Sequence, residues 1–238
     1  MPHPFASKRV AVVMGGLSAE REVSLNTGGG VLAALVGNGW DAVAIDWRAG
    51  TSIARQLEDA RVDLVWNALH GTWGEDGALQ GLCACLRIPC TGSGILASAL
   101  AMDKVMSKRI FESNSIPTPS WRLLPHDGPA DGSDARAALA DWPLPCVIKP
   151  ANEGSSVGVS LVEHASELDA AVAGARRYHG AVIAEHYIAG TEVFVGILNG
   201  AVLGSVEARP ATKFYDYEAK YNRTDTKYLV PPELPAPV

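Results

Sequence analysis

Charge is scarce in this sequence and of neither sign in bulk: Asp, Glu, Lys and Arg make up 19% of its 238 residues, 20 Lys+Arg against 26 Asp+Glu, for a formal net charge of −6. No Lys/Arg run is long enough to follow a phosphate backbone, which argues against nucleic acid as a partner; a small anionic ligand needs only one or two local lysines and stays open. Long apolar runs are missing too. No 18-residue apolar stretch occurs, and Met1-Pro2-His3-Pro4 passes to the β-rich run Val10-Ala11-Val12-Val13-Met14 without an apolar leader, so a cytoplasmic protein with no membrane partner is expected. Cysteine is sparse: Cys83, Cys85, Cys90 and Cys146 suit reduced thiols better than a disulfide framework in a chain that needs no staples. Cys83 and Cys85 lie two apart on a predicted helix, where their side chains diverge, and no second ligand pair follows, so no zinc site is expected.

Two nucleotide signatures are also absent. The first Gly-bearing loop lacks the G-x-G-x-x-G spacing and carries Glu20-Arg21-Glu22 where a dinucleotide pyrophosphate needs bare backbone, which disfavours a nicotinamide oxidoreductase; no G-x-x-x-x-G-K-[ST] run is present.

What is there is core material, 47% hydrophobic, arranged as alternating strand-like and helix-like segments. Strands are predicted over 9–14, 40–46 and 63–69, with a helix over 24–38 presenting Leu25, Gly28, Leu32, Leu35 and Val36 on one face and another over 53–60. This rhythm predicts a parallel sheet with ligands at the loops leaving the strands' carboxyl ends. Helices are predicted over 95–102 and 104–113, after the Ser/Gly hinge Thr91-Gly92-Ser93-Gly94, and Pro117-Thr118-Pro119 must be extended. Strands over 146–149 and 159–162 flank a Gly/Ser loop. A helix over 166–178 follows, with a capping box expected between Ser166 and Asp169. Strands over 181–185, 192–198 and 201–207 come next, the last two joined by the hairpin signal Asn199-Gly200. The domain reading is 1–94, 95–184 and 185–238.

Several segments could carry chemistry. Glu20, in a strand-to-helix loop, suits a cationic group such as an ammonium, or is simply a carboxylate meeting a helix dipole. Glu153-Gly154-Ser155-Ser156-Val157-Gly158 follows Lys149 and could bring backbone N–H groups and two hydroxyls to phosphate oxygens, or be a flexible hairpin. Glu185-His186-Tyr187-Ile188 through Glu192 offers backbone groups to a base edge and a carboxylate to ribose hydroxyls. Lys213-Phe214-Tyr215-Asp216-Tyr217-Glu218-Ala219-Lys220-Tyr221 is a polar-aromatic loop of the kind that is more often functional than idle.

Taken together and in order, these segments resemble the D-alanine–D-alanine ligases of the ATP-grasp superfamily. The likeness is carried by Gly15-Gly16-Leu17-Ser18-Ala19-Glu20-Arg21-Glu22-Val23-Ser24, by Leu69-His70-Gly71 with Gly74-Glu75-Asp76-Gly77, and by Thr91-Gly92-Ser93-Gly94 with Met102-Asp103-Lys104. Lys149-Pro150 with the Gly/Ser loop and the 214–221 segment complete it, so that it spans about residues 8 to 231. The resemblance implies an α/β architecture: a Rossmann-like N-terminal lobe of the pre-ATP-grasp kind, then an ATP-grasp domain whose C-terminal part is missing. It implies ligation of two D-alanines with ATP through an acyl phosphate, for peptidoglycan precursor synthesis and cell-wall biogenesis, in a homodimeric enzyme.

By motif, Glu20 would bind the ammonium of the first D-alanine and join Ser155 and Tyr221 in a latch that keeps water from the acyl phosphate. His70, with Glu75 beside it, would lie by the substrate carboxylate. Lys104 and Lys149 would contact ATP phosphates and Lys220 the transferring γ-phosphate. Glu185 and the Ile188 backbone would meet adenine, Tyr187 and Phe214 would pack on its faces, and Glu192 would hold the ribose. Tyr221 favours D-alanine over D-lactate as second substrate. The departure is at the end: the family's two Mg²⁺ (or Mn²⁺) are held by acidic residues and an asparagine after the aromatic loop, and here only Asp225 and Glu233 follow Tyr221. The metal ligands are expected beyond Val238, and the chain alone is expected to be weakly active or to bind nucleotide without turnover.

Overall fold

The structure, a computed structural model, describes residues 7–125, 127–178, 180–211, 220 and 223–234. The chain divides into two units, Met1–Thr118 with Ala151–Gly154, and Pro119–Pro150 with Ser155–Val238. Among the described residues no helix is long and apolar enough to cross a membrane.

In the first unit the order is β1 (Arg9–Gly15), α1 (Arg21–Gly37), β2 (Asp41–Trp47), α2 (Ile53–Asp59), β3 (Leu64–Asn67), α3 (Ala78–Leu86), α4 (Ile95–Met102) and α5 (Lys104–Ser113). The three strands form the expected parallel sheet, in the order β2-β1-β3. β1 is central and covered on both sides, which is why Val10–Met14 is an unbroken apolar run rather than an alternating one. Ala11 and Val13 pack with Ile45, Leu57, Val65, Leu79 and Cys83 on one face. Val12 and Met14 face the other, against Leu25, Leu32 and Leu35 of α1. Gly28 belongs to that face because a Cβ there would stand 2.5 Å from the Met14 Cβ. Val36, placed inward by the sequence, is exposed. Residues 25, 28, 32 and 35 already define the stripe, and position 36 lies a further 100° round the helix. The helix also starts at Arg21, three residues earlier than predicted, drawing the charged triplet into its first turn.

All four cysteines are free thiols. Cys83 and Cys90 are neighbours in this core, where a hydrogen bond between them and burial push the Cys83 thiol up.

The second unit contains β4 (Trp121–Leu124), α6 (Ala135–Ala138), β5 (Cys146–Pro150), β6 (Ser160–Val162), α7 (Leu168–Ala175), β7 (Val182–His186), β8 (Glu192–Leu198), β9 (Ala201–Arg209) and β10 (Lys227–Leu229). An antiparallel sheet, β4-β7-β5-β6, packs Leu124, Ile148, Val162 and Val182 against Leu168 and Val172 of α7. A second antiparallel sheet runs β10-β9-β8, with Asn199 and Gly200 at φ 50° and 80° in the hairpin, the left-handed pair that a two-residue turn requires. The predicted cap of the 166–178 helix is corrected. A short 3₁₀ turn, Ala165–Glu167, precedes α7, and the Glu167 carboxylate accepts from the Glu163 and His164 amides (2.9 and 3.2 Å). Glu167 lies three residues after His164, so the box forms two residues earlier, and Asp169 pairs with Arg136 at 3.0 Å instead.

Candidate active site

In the first unit two loops leave the carboxyl ends of neighbouring parallel strands, 16–20 after β1 and 68–77 after β3. Buried Ser24 ties them together: its hydroxyl accepts from the Gly15 amide (2.9 Å) and donates to the Ala68 carbonyl (2.7 Å). Ser18 Oγ donates to the His70 carbonyl (2.8 Å) and accepts from the Glu20 amide (3.2 Å). Glu20 is thereby held at the start of α1, 2% exposed. Its carboxylate lies against bare backbone at Gly71 and Gly154: a Cβ on either would stand 2.4 or 2.9 Å from Glu20 Oε2. Gly71 also has φ +66°, a left-handed backbone that glycine adopts without penalty.

His70 reaches Thr27 on α1 through Nε2 (3.2 Å), and its Nδ1 stands 3.7 Å from Glu75 Oε1. The turn between them closes on itself, with Glu75 Oε2 accepting from the Gly71 amide (2.9 Å) and the Gly71 carbonyl accepting from the Glu75 amide (2.9 Å). Lys104, at the start of α5, donates to the Ala151 carbonyl (3.4 Å) and to that of Glu153, while Asp103 caps the helix at the Met106 amide (3.0 Å). His70, Glu75, Lys104, Glu153 and Gly154 line a cavity of about 590 Å³ together with Thr91 to Ser93 and one face of α4, from Ala97 to Met102. Beside it Arg21 binds Asp46 (2.7 and 3.0 Å) and the Trp47 carbonyl (2.8 Å), fixing the start of α1 over the end of β2. Burial raises the Asp46 carboxyl, but the Arg48 and Arg21 hydrogen bonds outweigh it and hold the group below the usual carboxylate range.

In the second unit Lys149 on β5 and Glu185 on β7 form an ion pair with both side chains largely buried, 18% and 11% exposed. Their strands are adjacent, with Val147 opposite Glu185, so Lys149 reaches its partner diagonally. The Gly/Ser loop holds Ser155, Ser156 and Gly158 at φ 48°, 62° and 67°, a rare run of left-handed residues, and Lys220 Nζ donates to Ser156 Oγ at 2.8 Å. Strained backbone of this sort concentrates at ligand-binding loops. Tyr187 and the exposed Ile188 follow β7, and Glu192 begins β8, also exposed. Phe214 and Tyr221 lie outside the described residues.

Sequence reasoning missed Thr27, Asn67 and Gln80, all of which line the cavity. Thr27 gives no signal in the sequence. Asn67 is a polar residue closing an apolar strand, and Gln80 stands beside Leu79 and one turn before Cys83, a polar intruder among buried neighbours. Among the described residues no three His, Cys, Asp or Glu side chains gather into a metal-binding group.

The family profile described as D-ala D-ala ligase C-terminus matches residues 110–238, and the one described as D-ala D-ala ligase N-terminus matches residues 46–93. The chain belongs to the D-alanine–D-alanine ligase family. A relative named D-alanine–D-alanine ligase from Anaeromyxobacter dehalogenans is 48% identical over 233 residues, covering 97% of this chain and 73% of the relative. Another of that name, from Citrifermentans bemidjiense, is 48% identical over 231 residues, covering 97% and 72%. Among solved structures, the D-alanine–D-alanine ligase of Bacillus anthracis superposes with a TM-score of 0.77 at 37% identity, over 96% of this chain and 73% of that one. Its complex with ATP gives 0.76 at 31% identity, over 96% and 72%. The chain therefore has the ATP-grasp ligase fold, and as a member of this family it is an enzyme of the ATP-dependent ligase class.

Proposed function

We propose that the chain carries the chemistry that joins two D-alanines at the expense of ATP, with weak turnover by the chain alone. The carboxylate of the first D-alanine attacks the γ-phosphorus of ATP, releasing ADP and forming an acyl phosphate. The amine of the second then adds to the acyl carbon, and the tetrahedral intermediate expels phosphate to leave the dipeptide. A carboxylate is a poor electrophile and an acyl phosphate a good one, so the protein's tasks are to align the reactants, neutralise phosphate charge and exclude water.

The observation that carries this reading is the position of Glu20. It is a buried carboxylate at the carboxyl end of the central parallel strand, where the loops of β1 and β3 diverge and ligands bind in open α/β sheets. Its sign suits an α-ammonium, and the neighbouring His70 loop is placed for the carboxylate of the same amino acid. In the same unit, Lys104 faces the cavity with the charge that ATP phosphates need. In the second unit, Lys149 and Lys220 beside the left-handed Ser155-Ser156 loop suit the phosphates, with Lys220 on the transferring group. Glu185, the Ile188 backbone and Tyr187 take the adenine with Phe214, Glu192 takes the ribose, and Tyr221 closes with Ser155. When bound, Mg²⁺ would neutralise phosphate charge. We read the enzyme as a cytoplasmic homodimer.

Phosphate release is the direct test. It should require both ATP and D-alanine, mass spectrometry should find D-alanyl-D-alanine, and D-lactate should not replace the second D-alanine. Glu20→Gln should raise the D-alanine KM at least about tenfold, the loss of one charge-assisted contact, without moving the ATP KM. Phosphate release that D-alanine fails to stimulate would sink the proposal.

A further inference from the structure

The turn between His70 and Glu75 is held by a device that the reaction scheme does not use. The Gly74 carbonyl accepts two carboxamide donors, Asn67 Nδ2 at 2.7 Å and Gln80 Nε2 at 2.9 Å. They come from different elements, Asn67 from the end of β3 and Gln80 from the first turn of α3. Asn67 is itself fixed: its Oδ1 accepts from the Leu69 amide (3.0 Å) and its backbone N–H donates to Thr91 Oγ1 (3.0 Å). Gly74 fits tightly, since a Cβ there would come within 2.3 Å of the Leu69 Cβ.

Gln80 is 8% exposed, and among the described residues its Oε1 has no hydrogen-bond partner. A carboxamide buried with an orphaned acceptor is a poor choice for the fold alone, because a methionine of similar shape would bury there without that penalty. The value of Gln80 lies in its donor. One donor on a carbonyl leaves the peptide free to rock; two, converging from separate elements, set its direction. The peptides that carry His70 and Glu75 are joined to that carbonyl through the Gly71–Glu75 hydrogen bonds.

We infer that Gln80 and Asn67 are positioning residues: their carboxamides clamp the Gly74 carbonyl and so hold His70 and Glu75 in the arrangement that receives the first amino-acid substrate. This rests on the reading of Glu20 and the His70 loop as the D-alanine site. The clamp touches the turn, so its loss moves the substrate side of the reaction and leaves the nucleotide side alone.

The experiment compares wild type, Gln80→Met and Gln80→Glu by amide hydrogen exchange, thermal melting and steady-state kinetics. Gln80→Met should melt within about 2 °C of wild type, since it loses a hydrogen bond and an orphaned acceptor together. Exchange over residues 69–77 should quicken about tenfold, and the D-alanine KM should rise about fivefold with the ATP KM unchanged. Gln80→Glu has no donor when ionised and regains one when protonated, so its D-alanine KM should fall toward wild type between about pH 8 and pH 6, while that of Gln80→Met keeps a constant ratio to wild type. Unchanged exchange in Gln80→Met would overturn the clamp, and faster exchange with an unchanged D-alanine KM would overturn the positioning role. A wild-type chain that does not use D-alanine would sink the functional reading and this role with it, whereas faster exchange in Gln80→Met would still establish the clamp.

Discussion

Replacing Gly71 by alanine places one methyl group against a buried carboxylate. The new Cβ would sit 2.4 Å from Glu20 Oε2, about 1 Å inside the 3.4 Å at which ordinary contact begins. Glu20 is 2% exposed, so its carboxylate cannot swing out to solvent, and the Gly154 backbone closes its other side. Either Glu20 shifts by about 1 Å or the turn opens. Two costs separate cleanly. An alanine at φ +66° raises the backbone energy by about 1–2 kcal/mol, a fall in melting temperature of roughly 3–6 °C for a protein of this size. Displacing a substrate-positioning group by about 1 Å costs on the order of 100-fold in rate, about 2.7 kcal/mol at the transition state. Phosphate release measured against D-alanine at saturating ATP, and then the reverse, should show kcat/KM for D-alanine down about 100-fold and the ATP KM within about twofold. Gly29→Ala is the control: on α1, with nothing within 4 Å of the added methyl, it should leave kinetics alone and stabilise by about 0.5–1 kcal/mol. If Gly71→Ala proved as benign as Gly29→Ala, or raised the ATP KM instead, the placement of the first D-alanine beside Glu20 would be wrong.

Lys149→Met removes the β5 partner of Glu185 in a largely buried ion pair. Stability should fall by about 3–5 kcal/mol in denaturant melts, and the melting-point rise that ADP gives the wild type should disappear; a variant that kept that rise would refute the assignment of Lys149 to the phosphates. Arg176 grips Asp134 with two bonds (2.7 and 2.8 Å), and that hydrogen bonding holds the Asp134 carboxyl below its ordinary 3.8. Because the folded-state value is depressed, the stabilisation is full above the unfolded value and fades as pH falls through the folded one. Arg176→Met should therefore lose about 2–3 kcal/mol at pH 7, with the gap to wild type narrowing below about pH 4; a gap constant from pH 7 to pH 3 would contradict the pairing.

Much of the fold was legible because its signals are local. The apolar run at Val10–Met14 marks a strand covered on both faces, Asn199-Gly200 marks a hairpin, and the stripe Leu25, Gly28, Leu32 and Leu35 marks the inner face of α1. Local reasoning failed where two local choices compete. Ser166 and Asp169 have the spacing of a capping box, but His164 and Glu167 have the same spacing two residues earlier, and that pair forms it. The strand Trp121–Leu124 and the short helix Ala135–Ala138 had no clear period, and both are made by packing against β7 and α7. Among the candidate site residues, Glu20, His70, Lys104 and Lys149 were named from their motifs, with Glu75 beside His70, but the contacts of His70 with Thr27 and of Lys149 with Glu185 join segments that no motif links. Thr27 is 43 residues from His70, and Glu185 is 36 from Lys149.

By itself the sequence determined the alternation of strands and helices, the parallel sheet of the first unit and the loops where charge collects, since each follows from residue type and spacing along the chain, and its motifs in order carried the resemblance to the family. Only the tertiary structure decided that Glu20 rests on two glycine backbones and that Gly74 is gripped by Asn67 and Gln80. These depend on how separate segments meet in space. A glycine read in sequence is only permissive; what it makes room for is set by the side chain that folding brings against it.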